Sequence, residues 1–375
     1  MKKILHILVL PKMAGSQKIA LEILRGLPDT EYDKWVLFSA KEDTSPAESD
    51  YCEERFREAG ARVLYSKHMK RAIGPRDIPA TREIYRLCRK ERFDIVHTHS
   101  TKPGIIGRFA ATLAGVPLVI HTVHGLAFHQ FVKFPKWQFY WCCEMIASLF
   151  CHKIVLVNRF YRKHFKAFRH KTQTVYNGVD FGLLPAPLPA ADEPGHPKIL
   201  FVGRLDRPKD PLTLLKAARI VVDRIPQARF TLVGDGEKYD ECVKFVRDNG
   251  LEENVTLAGW QDNVAPFYAS HRIFVAPSIY ESFGLMFVEA GYYRLPVVAT
   301  CVEGIPEIVL DNKTGLLSEP GDPEKIAGNI IRLIDDPALR RQMGQAAYEY
   351  VTGEFSAEKM VEQYRKIYEN SSDRR

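Results

Sequence analysis

No Cys-x-x-Cys pair occurs in this chain, and its seven cysteines are odd in number and irregularly spaced. Neither a disulfide framework nor a structural zinc site is indicated, and reduced, buried thiols in a cytosolic protein are the expectation. Gly-x-Gly-x-x-Gly is missing as well, so there is no dinucleotide fingerprint. No two aspartates are separated by a single residue, which removes the short acidic pair that often holds a divalent cation. Helix-turn-helix, RNP-like and zinc-finger patterns are lacking, which argues against nucleic acid. Long apolar runs are scarce. Residues 4–10 follow two lysines in the manner of a signal peptide, but the run is short, carries His6, and leads into Pro11 and Lys12 without a small-x-small cleavage site. Residues 137–157 are interrupted by Glu144, His152 and Lys153, so they read as a buried helix followed by a strand rather than as a membrane span.

A length of 375 residues exceeds what one hydrophobic core usually serves, and two domains are expected. The net charge of +7 is unevenly placed. Residues 1–180 hold 30 Lys and Arg against 17 Asp and Glu, leaving 23 against 29 for the remainder. The first half should therefore meet something anionic, either a phosphate-bearing substrate or a membrane surface.

Short β-branched and aliphatic runs alternate with helical patterns throughout, which predicts parallel sheets built from βαβ units. In the first half, strands are expected near 4–10, 35–39, 62–65, 95–98, 118–123 and 153–157, with helices at 17–27 and 79–91. Residues 183–197 contain five prolines and a glycine and read as an interdomain linker. The pattern then restarts, with strands at 198–202, 229–233, 255–257, 273–276, 296–299 and 315–317. Helices are expected at 211–224, 236–249, 284–294, 303–309, 323–335, 337–352 and from 356 onward. The architecture this implies is α/β, two Rossmann-like parallel-sheet domains facing an interdomain cleft. Its parts are an N-terminal domain over 1–185, a second domain over 195–355 and a C-terminal helix over 356–375.

Glu281 and Glu289 bracket Glu-Ser-Phe-Gly-Leu-Met-Phe-Val-Glu, with seven residues between them. An apolar strand precedes this segment, so the order is strand, loop with an acid, helix start, second acid inside the helix. Free amides at a helix start receive phosphate, and carboxylates accept hydrogen bonds from neutral hydroxyls. A surface helix flanked by charge is the competing reading. Gly203 ends another strand, followed by Arg204 and Lys209; these two cations form either a clamp for a diphosphate or a solvated basic loop beside Asp206 and Asp210. Gly15 lies in the first strand-to-helix turn, where glycine permits a positive φ and close approach. His97, His99, His121, His124 and His129 crowd one region without carboxylates or thiols at ligand spacing, so a metal is not expected. His124 follows a strand at its carboxyl end and suits a polar contact to substrate.

Taken together, the chain resembles the retaining glycosyltransferases of family 4, which have the two-domain GT-B fold. The resemblance rests on Met13-Ala-Gly-Ser-Gln17, His97-Thr-His-Ser-Thr-Lys102, His121-Thr-Val-His-Gly125, Tyr176-Asn-Gly-Val-Asp180, Gly203-Arg-Leu-Asp-Arg-Pro-Lys209, Val233-Gly-Asp-Gly236 and Pro277-Ser-Ile-Tyr-Glu-Ser-Phe-Gly284. It implies that Arg204 and Lys209 bind the donor diphosphate, Glu281 the donor sugar and Glu289 the ribose. The backbone amides of Phe283, Gly284 and Leu285 would lie under sugar and phosphate, Gly15 against the diphosphate from the other domain, and His124 beside the reacting sugar. Ala14 stands where relatives usually carry glycine, a departure that bears on the contacts of that loop. No cofactor or metal is implied; the donor would be a UDP-sugar, favoured over a GDP-sugar, and the acceptor a glycan or polyprenyl-diphosphate-linked glycan. A sugar-nucleotide epimerase or hydrolase on the same fold is the alternative.

One further expectation concerns location, which should be cytoplasmic and peripheral on the membrane. A helix over 159–171 would place Tyr161, Phe165 and Phe168 on one stripe, flanked by Arg159, Arg162, Lys163, Lys166 and Arg169. That is the pattern of an interfacial helix on anionic lipid; a solvated basic helix with its aromatics in the core is the competing reading.

Overall fold

Strands covered by helices on both faces must be apolar on both faces, and the aliphatic runs of this sequence meet that condition. In the computed structural model, which describes residues 1–70, 74–187 and 197–370, they build two compact units. One is Met1–Gly178 together with the C-terminal helix, the other Val179–Ser356.

The first unit runs β1 (Lys2–Ile7), α1 (Gly15–Arg25), β2 (Tyr32–Phe38), α2 (Pro46–Glu58), β3 (Arg62–Tyr65), α3 (Asp77–Glu91), β4 (Ile95–His99), α4 (Thr101–Leu113), β5 (Leu118–Val123), α5 (Lys136–Leu149), β6 (Lys153–Leu156) and β7 (Thr172–Thr174). Its sheet is parallel in the order β3-β2-β1-β4-β5-β6-β7. The second unit runs β8 (Lys198–Val202), α6 (Pro211–Arg224), β9 (Arg229–Val233), α7 (Tyr239–Asp248), β10 (Val255–Gly259), α8 (Ala265–Ser270), β11 (Ile273–Ala276), α9 (Leu285–Tyr292), β12 (Val297–Thr300), β13 (Gly315–Ser318), α10 (Pro323–Asp335) and α11 (Pro337–Glu354). Its parallel order is β10-β9-β8-β11-β12-β13. Helix α12 (Ala357–Asn370) packs against α1 and so belongs to the first unit.

Each sheet reverses its strand order once, between β1 and β4 in the first unit and between β8 and β11 in the second. The crevice beyond the carboxyl ends of strands at such a reversal is where ligands of open α/β sheets bind. The loops after β1, β4, β8 and β11 are therefore where chemistry is to be sought.

Several expected elements differ. The helix expected at 303–309 is a single 3-10 turn, Ile305–Glu307, because Glu303 stands at φ 43° and breaks the helical path just before it. The proline-rich connection over 183–197 lies largely outside the described residues. The largest correction concerns 159–171, which forms two 3-10 turns, Phe160–His164 and Lys166–Lys171, with Phe165 at φ −112° between them. Tyr161, Phe165 and Phe168 are buried in the core of the first unit. The apolar stripe thus faces inward and cannot enter a bilayer, although Arg159, Arg162, Lys163, Lys166 and Arg169 stay exposed.

Candidate active site

In the second unit, β8 leads into Gly203, Arg204 and Leu205, and this loop lies directly on the Val233-Gly-Asp-Gly236 turn after β9. Gly203 N–H donates to the Val233 carbonyl, and Leu205 N–H to that of Asp235, each at 2.9 Å. Gly234 adopts φ 135°, and a Cβ there would stand 1.9 Å from the Gly203 carbonyl oxygen. The glycine turn that reads as a weak site in sequence is a backbone cradle for the basic loop. Farther along, the Pro208 carbonyl accepts from Ile279 N–H at 2.9 Å, which ties the loop to the one that follows β11.

That tie brings Lys209 and Glu281 together. Their side chains are mostly buried, and Lys209 Nζ donates to Glu281 Oε2. Lys209 also lies 3.7 Å from Met286 Sδ at the start of α9. An ammonium has three donors, so one remains for a further acceptor. Arg204 is different: its side chain is 68% exposed and pairs with Asp206 at 2.8 Å.

Helix α9 starts from Gly284 at φ 88°, a left-handed backbone that suits glycine. Its first amides have no intrahelical acceptor. Phe283 is buried edge-on against Phe355, and Leu285 is half-buried. One turn on, Glu289 Oε2 accepts from Tyr268 Oη at 2.9 Å. Tyr268 is buried and stacks on Tyr293 at 5.6 Å; burial first, and the neighbouring Glu289 second, push its phenol well above the ordinary range. The two acids therefore share a design. In each, one carboxylate oxygen is held by a protein donor and the other is engaged by no described residue.

In the first unit, Gly15 is exposed at the start of α1 and takes no positive φ, so the left-handed turn expected there does not form. A Cβ at Gly15 would meet nothing within 4 Å, so close approach of its own chain does not demand glycine at this position. The histidines divide by strand alternation. His97 and His99 share one face of β4 and, with His6 of β1, lie under Tyr364 and Tyr368 of α12. His121 faces the opposite side, bonded to Thr98 at 2.9 Å, while His129 packs on Phe131. His124 follows β5 and reaches His99 at 3.0 Å.

His6, His97 and His99 are the one group of three metal-competent side chains among the described residues. All six of their ring nitrogens are already within hydrogen-bond reach of another imidazole or a hydroxyl. Desolvation lowers the His6 pKa to about 3 and that of His124 to about 4, and it takes His97 and His99 well below the ordinary value as well. Sequence reasoning did not find Tyr268, His6 as a site residue, or the two α12 tyrosines. The first sheet's register, which sets His6 opposite His97, is the signal that links His6 to the crowd.

Residues 13–182 match the family model Glycosyltransferase Family 4, and residues 190–350 the model Glycosyl transferases group 1. An Escherichia coli enzyme named UDP-Gal:alpha-D-GlcNAc-diphosphoundecaprenol alpha-1,3-galactosyltransferase is 30% identical, over 98% of this chain and 96% of its own length. The chain belongs to glycosyltransferase family 4. N-acetyl-alpha-D-glucosaminyl L-malate synthase of Bacillus anthracis is 28% identical over 78% of this glycosyltransferase and 79% of the relative. Among solved structures, Anabaena HepE in complex with UDP superposes with a TM-score of 0.81 at 18% identity, covering 99% and 100% of the two chains. Sucrose-phosphate synthase from Thermosynechococcus elongatus gives 0.81 at 22%, covering both chains fully. The fold of this glycosyltransferase is GT-B.

Proposed function

We propose that this glycosyltransferase transfers a hexose from a UDP-sugar, with retention and without a metal, to a sugar carried on a polyprenyl diphosphate. The observation that carries the reading is the joining of Lys209, Glu281 and the start of α9 at the strand-order reversal of the second sheet. Glu289 binds the ribose diol through its free oxygen and Glu281 the sugar hydroxyls through its own. Lys209, Arg204 and the amides of Phe283, Gly284 and Leu285 take up the negative charge that develops on the departing diphosphate, an electrostatic role that dominates such reactions. His124 is assigned a polar contact to the sugar. We assign no carboxylate as a covalent nucleophile, and the acceptor attacks from the face the diphosphate leaves. The name of the Escherichia coli relative supports both the uridine nucleotide and the lipid-diphosphate acceptor. The test is incubation with UDP- and GDP-hexoses and an N-acetylhexosaminyl diphosphate on a short polyprenol. Transfer from a UDP-hexose with an α-linked product and full rate in excess EDTA is expected; an inverted product, or a rate abolished by EDTA, overturns the mechanism.

The same reading includes peripheral attachment to anionic lipid, now by a different surface. Residues 95–179 hold eleven Lys and Arg against a single acid, Glu144, which is buried against Arg108 at 2.9 Å. Phe134, 78% exposed, precedes α5, which itself exposes Phe139, Trp141, Ile146 and Leu149, and the neighbouring α4 exposes Phe109 and Leu113. Exposed aromatic and aliphatic side chains on a stretch of chain whose one acid is buried fit an anionic bilayer surface. No helix among the described residues is long and apolar enough to cross a membrane. Co-sedimentation with phosphatidylglycerol vesicles should exceed that with phosphatidylcholine and fall in the Phe139→Ser/Ile146→Ser variant; indifference to both changes would exclude this face.

A further inference from the structure

Helix α3 buries Ala80, Ile84 and Cys88, one per turn, and so has a second stripe that looks outward. Ile78, Arg82 and Tyr85 lie on that stripe at i, i+4 and i+7. Ile78 and Tyr85 are exposed, and beside them α4 exposes Phe109 and Leu113, one turn apart. Between the two helices these side chains line an open slot of about 400 Å³. Phe109 is braced edge-on by Phe150 at 5.0 Å, which fixes that wall. A single apolar side chain at a surface is ordinary. Four on one slot, beside a helix α5 that exposes Ile146 and Leu149, call for an occupant.

The free charges around the slot have one sign. Arg82 lines it and Arg86 follows one turn on; both are exposed, and neither meets a partner among the described residues. Arg76, just before α3, and Arg89, near its end, are exposed too. The acid in the wall, Asp77, is paired with the buried Lys102, and Glu83 accepts from Ser66 Oγ at 2.6 Å. A peptide would bring backbone amides and carbonyls that hydrocarbon walls leave unsatisfied. A linear hydrocarbon with an anionic head meets both demands, its chain against the apolar walls and its head on guanidinium forks that match phosphate. The Asp77–Lys102 pair also gives the slot a direction. It fastens the start of α3 to the start of α4, which follows β4 at the strand-order reversal of the first sheet. The slot therefore begins at the crevice end of the sheet and runs away from it, toward Phe109 and Leu113 in the second half of α4.

We propose that this slot binds the isoprenoid chain of the acceptor, with the acceptor's diphosphate on Arg82 and Arg86 and its sugar toward the crevice. The inference rests on the reading of the acceptor as a polyprenyl-diphosphate-linked sugar, and it names the residues that recognise that class. The exposed apolar side chains of α4 and α5 adjoin the slot, so a chain leaving a bilayer there enters it without crossing water. Acceptors are then sorted by lipid length and head charge, separately from the donor.

The probe is geranylgeranyl diphosphate below its micelle-forming concentration, titrated by calorimetry into the full-length protein with UDP saturating, so that the donor site is filled. It should bind at least about tenfold more tightly than geranyl diphosphate, whose shorter chain leaves much of the slot empty. Ile78→Ser/Tyr85→Ser should weaken binding at least about tenfold, and Leu113→Gln, on the other helix, should weaken it independently. Arg82→Ala/Arg86→Ala should weaken it and reduce its dependence on salt. All these positions are exposed, and an unchanged melting temperature verifies that the variants fold. Equal affinity for the two chain lengths, or wild-type affinity in both apolar variants, overturns the proposal. So does displacement of the probe by dihexanoyl phosphatidylglycerol, which would make the slot a site for membrane phospholipid. The underlying reading is tested apart, by transfer to N-acetylhexosaminyl diphosphates on isoprenoids of increasing length. The acceptor KM should fall with length in the wild type and stay level in Ile78→Ser/Tyr85→Ser, with the KM for UDP-sugar the same in both. Transfer at a KM indifferent to length is a failure of the slot. No transfer to any of them, with the probe still bound, is a failure of the lipid-acceptor reading and removes the acceptor as the slot's occupant.

Discussion

At the scale of single residues, what distinguishes this site is how its acids are held. Glu281 is fixed by a lysine and Glu289 by a buried tyrosine, so each carboxylate has its orientation set before any ligand arrives. Replacing Lys209 by Ala removes the partner of Glu281 and, on the proposed reading, a phosphate donor; kcat/KM should fall at least about tenfold, roughly 1.4 kcal/mol of transition-state stabilisation. Arg204→Ala should reduce it too, by less, since its side chain is largely solvated. Steady-state kinetics unchanged in both variants would sink the clamp. Glu289→Gln should weaken binding of free UDP in calorimetry, and Tyr268→Phe should follow in the same direction. Glu281→Gln should leave that affinity nearly intact and depress turnover, so an equal loss of UDP affinity in both glutamine variants would contradict the division of roles. Both acids and Lys209 could be singled out in sequence because they sit in short motifs at strand ends, and the structure joins Lys209 to Glu281. Tyr268 was not, because it touches Glu289 only after α8 folds back, and nothing local in its sequence says so.

At the scale of elements, the sheets were legible and the special backbone was not. Strands such as 62–65, 118–123, 198–202 and 273–276 were read with the bounds they have, since an aliphatic run between turn residues has few other solutions. The segment 159–171 was misread because apolar spacings of four and three are shared by an amphipathic helix and by two 3-10 turns packed on a core, and only the surrounding fold chooses. The glycine turn after β9 was undervalued for a similar reason: its demand is set by the loop after β8, thirty residues earlier in the chain. Gly234→Ala should accordingly destabilise the second unit by about 2 kcal/mol or more, through a left-handed φ and a collision with Gly203. Thermal unfolding followed with kcat/KM should show both falling; a melting temperature within a degree or so of wild type would mean that the cradle is not needed.

At the scale of the whole molecule, the buried histidines are concentrated in the first unit and are held neutral there. Burial lowers the pKa of His6 to about 3 and of His124 to about 4, and takes those of His97, His99 and His121 well below the ordinary value of 6.5. In the second unit only His271 shows such a shift among the described residues, to about 4 and again mainly through burial. The unfolded chain exposes all of these rings and binds protons as the pH drops through 6.5, whereas the folded chain does not until far lower. Their contribution is therefore fully present above pH 6.5 and is lost progressively below it. Each ring subtracts up to about 1.4 kcal/mol per pH unit. Five such rings in one unit against one in the other should make the first unit the acid-labile part. Calorimetry at neutral pH and at about pH 5 should show the first unit's transition moving down much farther than the second's. His6→Phe/His97→Phe/His99→Phe, where it folds, should flatten that dependence. Equal displacement of the two transitions, or none, would mean that burial of these rings does not govern the acid stability of the first unit.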